Sequence, residues 1–521
     1  MSPTLAFLQE KARALGPFYI CASVVSLFLV WALVSHFTSP LRRFPGPFWA
    51  KWTNLWRMYQ LYKQDYQFTI EKLHKKYGPV VQIGPNTLDL DYPELIKTLY
   101  GTDGKYKKTE FYHNSSAIVD GKITYHLFSQ TDQAEHARMK RPVVKYYSMS
   151  NVLSLEGRVD EVLQDFCGHL EKRFIKGGKD CNLGEWIAFY AWDFISSATF
   201  SKRFGYMESA YDHDGTIHIA DLVADYLGMV GQMPFLDYLL DKNPIKRIGP
   251  PNLQNVTRIS FGKMVDRLKQ QAAGLLDEKP VEERDFLDHF VEAKVKNPDV
   301  VDEKLILGYL QVNMLAGADT TAITLRALFH FLMTNPAALR RLEDEVLAAG
   351  FDRAGVVPYS AARTLPFLDG AVREAMRLHP GVGMLLERYV PEGGLSLPAG
   401  GGFVPAGTGV GINPYVMGRN RSVWGADADE FRPERWLARE GEPEADYQQR
   451  LRRMNAADLT FGGGSRICIG RNVATLEIYK VAATLVNRYR ILPPAVPSKF
   501  VIVSSWFPRQ TGLTCRLEKR E

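Results

Sequence analysis

Apolar residues recur at helical intervals over most of this chain and alternate over only a few short stretches, which predicts a mainly α fold with small β-sheets, an α+β class. Helical spacing covers Lys51 to Tyr77, Val152 to about Phe200 and Ile217 to Leu275, and begins again at Glu135–Arg141. Val80 to Leu90 alternates around Gly84-Pro85 and predicts a hairpin. Lys107 to Phe128 has no regular period and reads as a long loop. Asp302 is placed to cap a helix that Asn335-Pro336 stops after Thr334; about 32 residues would run roughly 48 Å, the width of a whole domain. Gly393-Gly394 and Gly400-Gly401-Gly402 read as hairpin turns, because no phosphate-cradle lysine follows them.

Near the N-terminus, Pro17 to Phe37 is an uncharged apolar run of about 21 residues, the length of a membrane-crossing helix. Arg42, Arg43 and Lys51 follow it, and the positive-inside bias then leaves the remainder in the cytosol. A cleaved signal peptide is the rival, although the run lacks a clear small-x-small site; a buried core helix is the third reading. Pro40 and Pro45-Gly46-Pro47 predict a stiff, non-helical link. The expected organisation is a short segment 1–16, an anchor 17–37, a proline-rich hinge 38–50 and one catalytic domain 51–521.

Composition narrows the field without naming a chemistry. Of 521 residues, 46% are hydrophobic and 23% charged, ample for a deep core. A net charge of +6 is too mild to argue for nucleic acid. The five cysteines are odd in number and scattered, which argues against a disulfide framework or zinc site and suits a reducing compartment.

One cysteine stands apart. Cys468 lies in the glycine-rich stretch Phe461-Gly462-Gly463-Gly464-Ser465-Arg466-Ile467-Cys468-Ile469-Gly470, just ahead of a helical pattern from about Asn472 to Tyr489. Backbone N–H groups at a helix start favour a thiolate, so Cys468 is a candidate metal ligand. The glycines allow the backbone to run against a flat partner, Gly470 to admit the next helix, and Arg466 supplies a fixed cation. A glycine-rich surface turn with an inert cysteine is the alternative at this point.

The order Phe461, Gly464, Arg466, Cys468, Gly470 resembles the haem-binding loop of the cytochrome P450 family. Three further motifs resemble that family in order and rough spacing: Ala316-Gly317-Ala318-Asp319-Thr320-Thr321, Glu374-Ala375-Met376-Arg377, and Phe431-Arg432-Pro433-Glu434-Arg435-Trp436. The sequence is most similar to microsomal members from filamentous fungi, including the pisatin-demethylase-like branch.

The resemblance implies the family's fold behind one N-terminal transmembrane helix, and haem b with Cys468 as iron ligand. Gly464, Phe461 and Gly470 of the same loop would be cofactor-binding residues. Arg466, Arg388, His136 and Lys140 fall where the family contacts the haem propionates; lysine departs from the family's usual arginine, and Arg138 or Arg141 could take its place. Thr320 would hydrogen-bond dioxygen and Asp319 help deliver protons. A mid-helix threonine also bonds back to the carbonyl four residues earlier, opening a turn. Glu374, Arg377 and Arg435 would form a buried structural triad, with Trp436 where the family usually has Phe. Gly381 to Leu386 and Ser504 to Phe507 would line an apolar pocket, roofed by Leu227, Met229, Val230, Met233, Pro234 and Phe235.

The implied activity is a monooxygenase acting on an apolar small molecule of fungal secondary metabolism, at the endoplasmic reticulum membrane. No dinucleotide fingerprint or flavin domain is recognisable, so NADPH electrons would arrive from NADPH–cytochrome P450 reductase, with cytochrome b5 a second donor. Arg471 and Lys480 are candidates for the reductase-facing surface. A haem-thiolate isomerase or gas-binding module is the competing class, against which Asp319-Thr320 speaks.

Overall fold

The computed structural model describes residues 19, 22, 23, 25–27, 30 and 33–521, apart from 120, 250–253 and 277. Nine of the 21 residues of the predicted anchor 17–37, and the whole of segment 1–16, therefore lie outside the described residues. Among the described residues no helix is long and apolar enough to cross a membrane.

The organising element is the 32-residue helix Glu303–Thr334. Its start is fixed by Asp302, whose carboxylate accepts from Leu305 N at 2.8 Å, and Asn335 ends it before Pro336 opens the next helix. Leu183–Phe200, buried along nearly its whole length, packs against it, as do Pro366–Leu378 and Arg471–Arg488. These helices share the main core.

A second core surrounds a four-stranded sheet whose spatial order is Val80–Gly84, Thr87–Leu90, Gly409–Gly411, Arg388–Tyr389. The first two form the predicted hairpin, and the third runs parallel to the second. Two-stranded ribbons complete the β content, including Leu395–Leu397 with Gly402–Val404 around the predicted glycine turn. A third, aromatic-rich cluster contains Phe111, Tyr112, Leu227, Met384 and Trp506.

Three sequence expectations are corrected here. The stretch 107–128 is not structureless: it forms the 3-10 helix Glu110–Ser115 and a ribbon of Ala117–Val119 with Lys122–Thr124, elements too short to show a period. The proline link begins with a 3-10 turn, Pro40–Arg43, capped by Ser39, and Leu41 and Phe44 are buried, so it is docked rather than free. The helical stretch before Glu171 ends in a π turn, Glu171–Ile175, and a break precedes Leu183.

Candidate functional site

Residues from four separate regions meet around Cys468. Gly470 is the N-cap of Arg471–Arg488, so Cys468 sits two residues ahead of a helix start. Its own N–H donates to Phe461 O at 2.9 Å, closing the loop on itself, and half-buried Phe461 packs against the main core. Cys468 is a free thiol, exposed on its open side. Desolvation by the chain packed closely around it pushes its pKa up, opposed by hydrogen bonds from the Gly470 and Arg471 backbone and by the charges of Lys140 and Arg471. A coordinated metal would add the charge that deprotonates it.

Two of the loop glycines, Gly463 and Gly464, lie against Tyr100. A Cβ on Gly464, whose φ is +59°, would lie 1.7 Å from Tyr100 O, and one on Gly463 would lie 3.2 Å from Tyr100 Cβ. The Tyr100 backbone by itself requires glycine at 464. Gly470 is the reverse case: a Cβ there meets nothing within 4 Å, so no close helix approach depends on it.

Arg466 reaches across to the segment preceding Gln133–Lys140, donating to Gln130 O at 2.6 Å, Thr131 O and Asp132 O at 3.1 Å and Gln133 Oε1 at 3.1 Å. Asp132 caps that helix through Glu135 N. From its far end Lys140 Nζ donates to Ser465 O at 3.2 Å. Arg138 is paired with Glu135 and Arg141 is exposed, so Lys140 is the cation of this helix that meets the loop. His136 is buried, and desolvation together with Arg466, Lys108 and Lys140 pushes its pKa down to about 3. Arg388 comes from the sheet strand, donating to Glu387 O at 2.7 Å and Tyr112 OH at 3.5 Å.

All the acceptors of Arg466, Lys140 and Arg388 are neutral carbonyl, amide or hydroxyl oxygens. Desolvation and Arg388 lower the Arg466 pKa to about 10, and Lys140 is lowered by desolvation and Arg466. Arg388 and Arg466 line one cleft with Tyr100, Gln133 and Gly463. A cluster of partly buried cations that has no carboxylate partners among the described residues, beside a thiol, suits a ligand that brings a metal and anionic groups together, as haem does. Lys108, absent from the sequence reading, belongs to this cluster: desolvation, Arg388 and Arg466 hold its pKa well below the usual value. No local motif marks it; its place depends on strand pairing between distant segments.

Thr320 and Asp319 occupy the middle of the long helix. Thr320 Oγ1 donates to Ala316 O at 2.7 Å, the back-bond read from the sequence. Gly381 faces it, a Cβ there lying 3.6 Å from Thr320 Cβ, which sets the start of Gly381–Leu386 against the threonine. Asp319 accepts from Trp192 Nε1 at 3.2 Å, and burial with help from Asp221 raises its pKa to about 7. Two of the three small residues answer to helix packing instead of a cofactor: a Cβ on Gly317 would lie 2.7 Å from Ile195 Cδ1, and Ala318 is buried in the core.

Of the roof residues, Leu227 and Val230 are buried, with Leu227 in the aromatic cluster, whereas Phe235 is exposed. Trp506 lies against Phe111 and Phe128 at ring separations of 5.1 and 5.6 Å. Glu374 is fully buried and joined to Arg377 and Arg435 as expected. Trp436 is more than a packing change, since its indole Nε1 donates to Glu374 at 2.9 Å. Lys480 is corrected: fully buried, it pairs with Glu156 and Asp160 at 2.6 and 2.7 Å and presents no docking surface, whereas Arg471 is exposed.

Comparison with known proteins agrees with this geometry. The family described as Cytochrome P450 matches residues 44–504. Cytochrome P450 monooxygenase cfoH of Aspergillus candidus is 44% identical over 505 residues, covering 96% of this chain and 92% of its own. Cytochrome P450 monooxygenase cicH of Emericella nidulans is 36% identical, covering 96% and 99% of the two chains. Cytochrome P450 monooxygenase vrtE of Penicillium aethiopicum is 33% identical, covering 98% and 96%.

Proposed function

We infer the working of this protein from one premise: the chain belongs to the cytochrome P450 family. It is a haem-thiolate monooxygenase, an oxidoreductase supplied with NADPH-derived electrons by a reductase. When bound, haem supplies the iron at which dioxygen is reduced and one oxygen atom is passed to the substrate.

The residue roles are our proposal, and the observation that carries them is the convergence of Cys468, at a helix start, with Arg466, Arg388, His136 and Lys140. Cys468 gives the iron its thiolate, and the Gly470 and Arg471 N–H groups spread the sulfur's charge. Arg466, Arg388 and Lys140 receive the propionates, and neutral His136 contributes a hydrogen-bonding ring without adding charge. Thr320 offers its hydroxyl to a diatomic ligand, while Asp319 holds a proton that it can release near neutral pH. Thr320 acts from the side of the long helix that faces Gly381, and Asp319 from the side that meets Trp192.

Leu227, Met384, Leu385, Phe111 and Trp506 form apolar walls, which suit an apolar small-molecule substrate of fungal secondary metabolism, most simply by hydroxylation. Residues 17–37 anchor the chain in the endoplasmic reticulum membrane with the catalytic domain, 51–521, in the cytosol. Exposed Trp49, Leu55 and Tyr62 support a membrane-facing side, because Leu55–Tyr62 packs on Thr216–Val230, which leads to exposed Phe235, Leu239 and Ile245. Arg471 lies on the side open to reductase and to cytochrome b5.

The test uses membranes from cells expressing the full chain with and without co-expressed reductase. Mass spectrometry should show NADPH-dependent addition of one oxygen atom to an apolar pathway intermediate only when reductase is present. Turnover without any partner, or extraction of the full-length protein by carbonate, contradicts the proposal.

A further inference from the structure

We propose that Lys108, set beside Arg388 against the aromatic cluster, is a carboxylate receptor fitted to a ligand that carries its carboxylate on a flat apolar body. The inference rests on the haem-site reading above. Two sources share that chemistry: a cofactor propionate, or the acid group of an aromatic substrate.

Lys108 is held by the fold. Tyr389 N donates to Lys107 O at 2.8 Å, and Lys108 stands opposite Arg388 in an isolated antiparallel bridge. Residues directly opposed in an antiparallel pair send their side chains to the same face, so the ammonium and the Arg388 guanidinium are delivered to one side. The aromatic cluster receives it there. Lys108 Nζ lies 4.1 Å from the centre of the Tyr112 ring and 4.6 Å from that of Phe128. Tyr112 and Phe128 in turn lie against Trp506 at ring separations of 6.0 and 5.6 Å.

The charge is left incomplete. An ammonium has three donors, and one carbonyl, Phe128 O at 2.8 Å, takes one of them. Ring faces compensate only part of a desolvated cation. Glu387, the carboxylate beside Arg388, is already joined to Arg57 and to Thr109 Oγ1. Among the described residues Lys108 has no ion pair, and its charged neighbours, Arg388 and Arg466, carry the same sign. A partly buried cation among like charges is unfavourable until an anion arrives. The rings of Tyr112, Phe128 and Trp506 provide the flat contact that such an anion's body needs.

The experiment compares haem-loaded wild type with Lys108→Met, Lys108→Gln and Lys108→Arg. Haem retention is read as the rate of transfer to excess apomyoglobin. Ligand preference is read from spectral titrations with 2-naphthoic acid and its methyl ester. A cofactor carboxylate predicts that both uncharged variants lose haem about tenfold faster, that Lys108→Arg stays near wild type, and that the acid-to-ester preference is unchanged. A substrate carboxylate predicts unchanged haem retention and a roughly tenfold fall in preference for the acid. If neither quantity moves in an uncharged variant, the proposal is overturned. Failure of the thiolate reading is separate, because it would appear in the wild type as the absence of a red-shifted carbon monoxide band.

Discussion

Removing the Glu374 carboxylate should unfasten the region that carries the cysteine loop. Glu374 is fully buried and collects five donors. These are Arg377 Nε and Nη2 at 2.9 and 2.7 Å, Arg435 Nε and Arg432 N at 3.1 Å, and Trp436 Nε1 at 2.9 Å. In Glu374→Ala, Arg435 keeps Asp427 at 2.9 Å, but Arg377, only 4% exposed, is left with backbone carbonyls of Ala428, Glu430 and Gly418. Breaking a buried pair in this way costs about 3–5 kcal/mol, a large part of the roughly 5–15 kcal/mol that holds a domain folded. Trp436→Phe removes one bond to a charged acceptor that keeps four others, so the low end of the usual range, about 1.5 kcal/mol, applies. Urea unfolding of haem-loaded protein, followed by far-UV dichroism and the Soret band, should show a large fall in midpoint for Glu374→Ala and a small one for Trp436→Phe. Combined, the two should cost less than their sum, because the indole has no carboxylate left to lose. An unchanged midpoint in Glu374→Ala, or strict additivity, would refute this reasoning.

Two further outcomes follow from the long helix. Asp319 has a folded pKa raised from 3.8 to about 7, so its contribution to stability is greatest at low pH, declines as pH rises between about 4 and 7, and is lost above that window. Asp319→Asn should flatten stability over that range and gain up to a few kcal/mol near pH 8; an unchanged pH profile would contradict the raised pKa. Thr320→Ala should still bind haem and substrate while diverting NADPH-derived electrons into peroxide, measured as the ratio of peroxide to product; unchanged coupling would remove its role.

The sequence was most legible where local chemistry and fold agree. Asp302 and Asn335-Pro336 mark both ends of the long helix because a cap and a breaker act within one turn. The loop from Phe461 to Gly470 is equally local, and so the reading placed Cys468 and Arg466 correctly beside a helix start. What stayed hidden depends on distant partners. Lys108 joins the cation cluster only through its pairing with Arg388, and Lys480 looks like any surface lysine until Glu156 and Asp160 enclose it. The small residues carry contacts of the same hidden kind: Gly464 lies against Tyr100 and Gly317 against Ile195, which no spacing rule reveals. Trp436 did carry a signal, since a buried indole N–H seeks an acceptor.

The central claim is that Cys468 supplies the iron's thiolate, and one spectrum tests it most directly. Reduced wild-type protein under carbon monoxide should show the red-shifted Soret band of a thiolate-ligated haem. Cys468→Ser, prepared at matched haem content, should lack it. Survival of that band in Cys468→Ser would contradict the account.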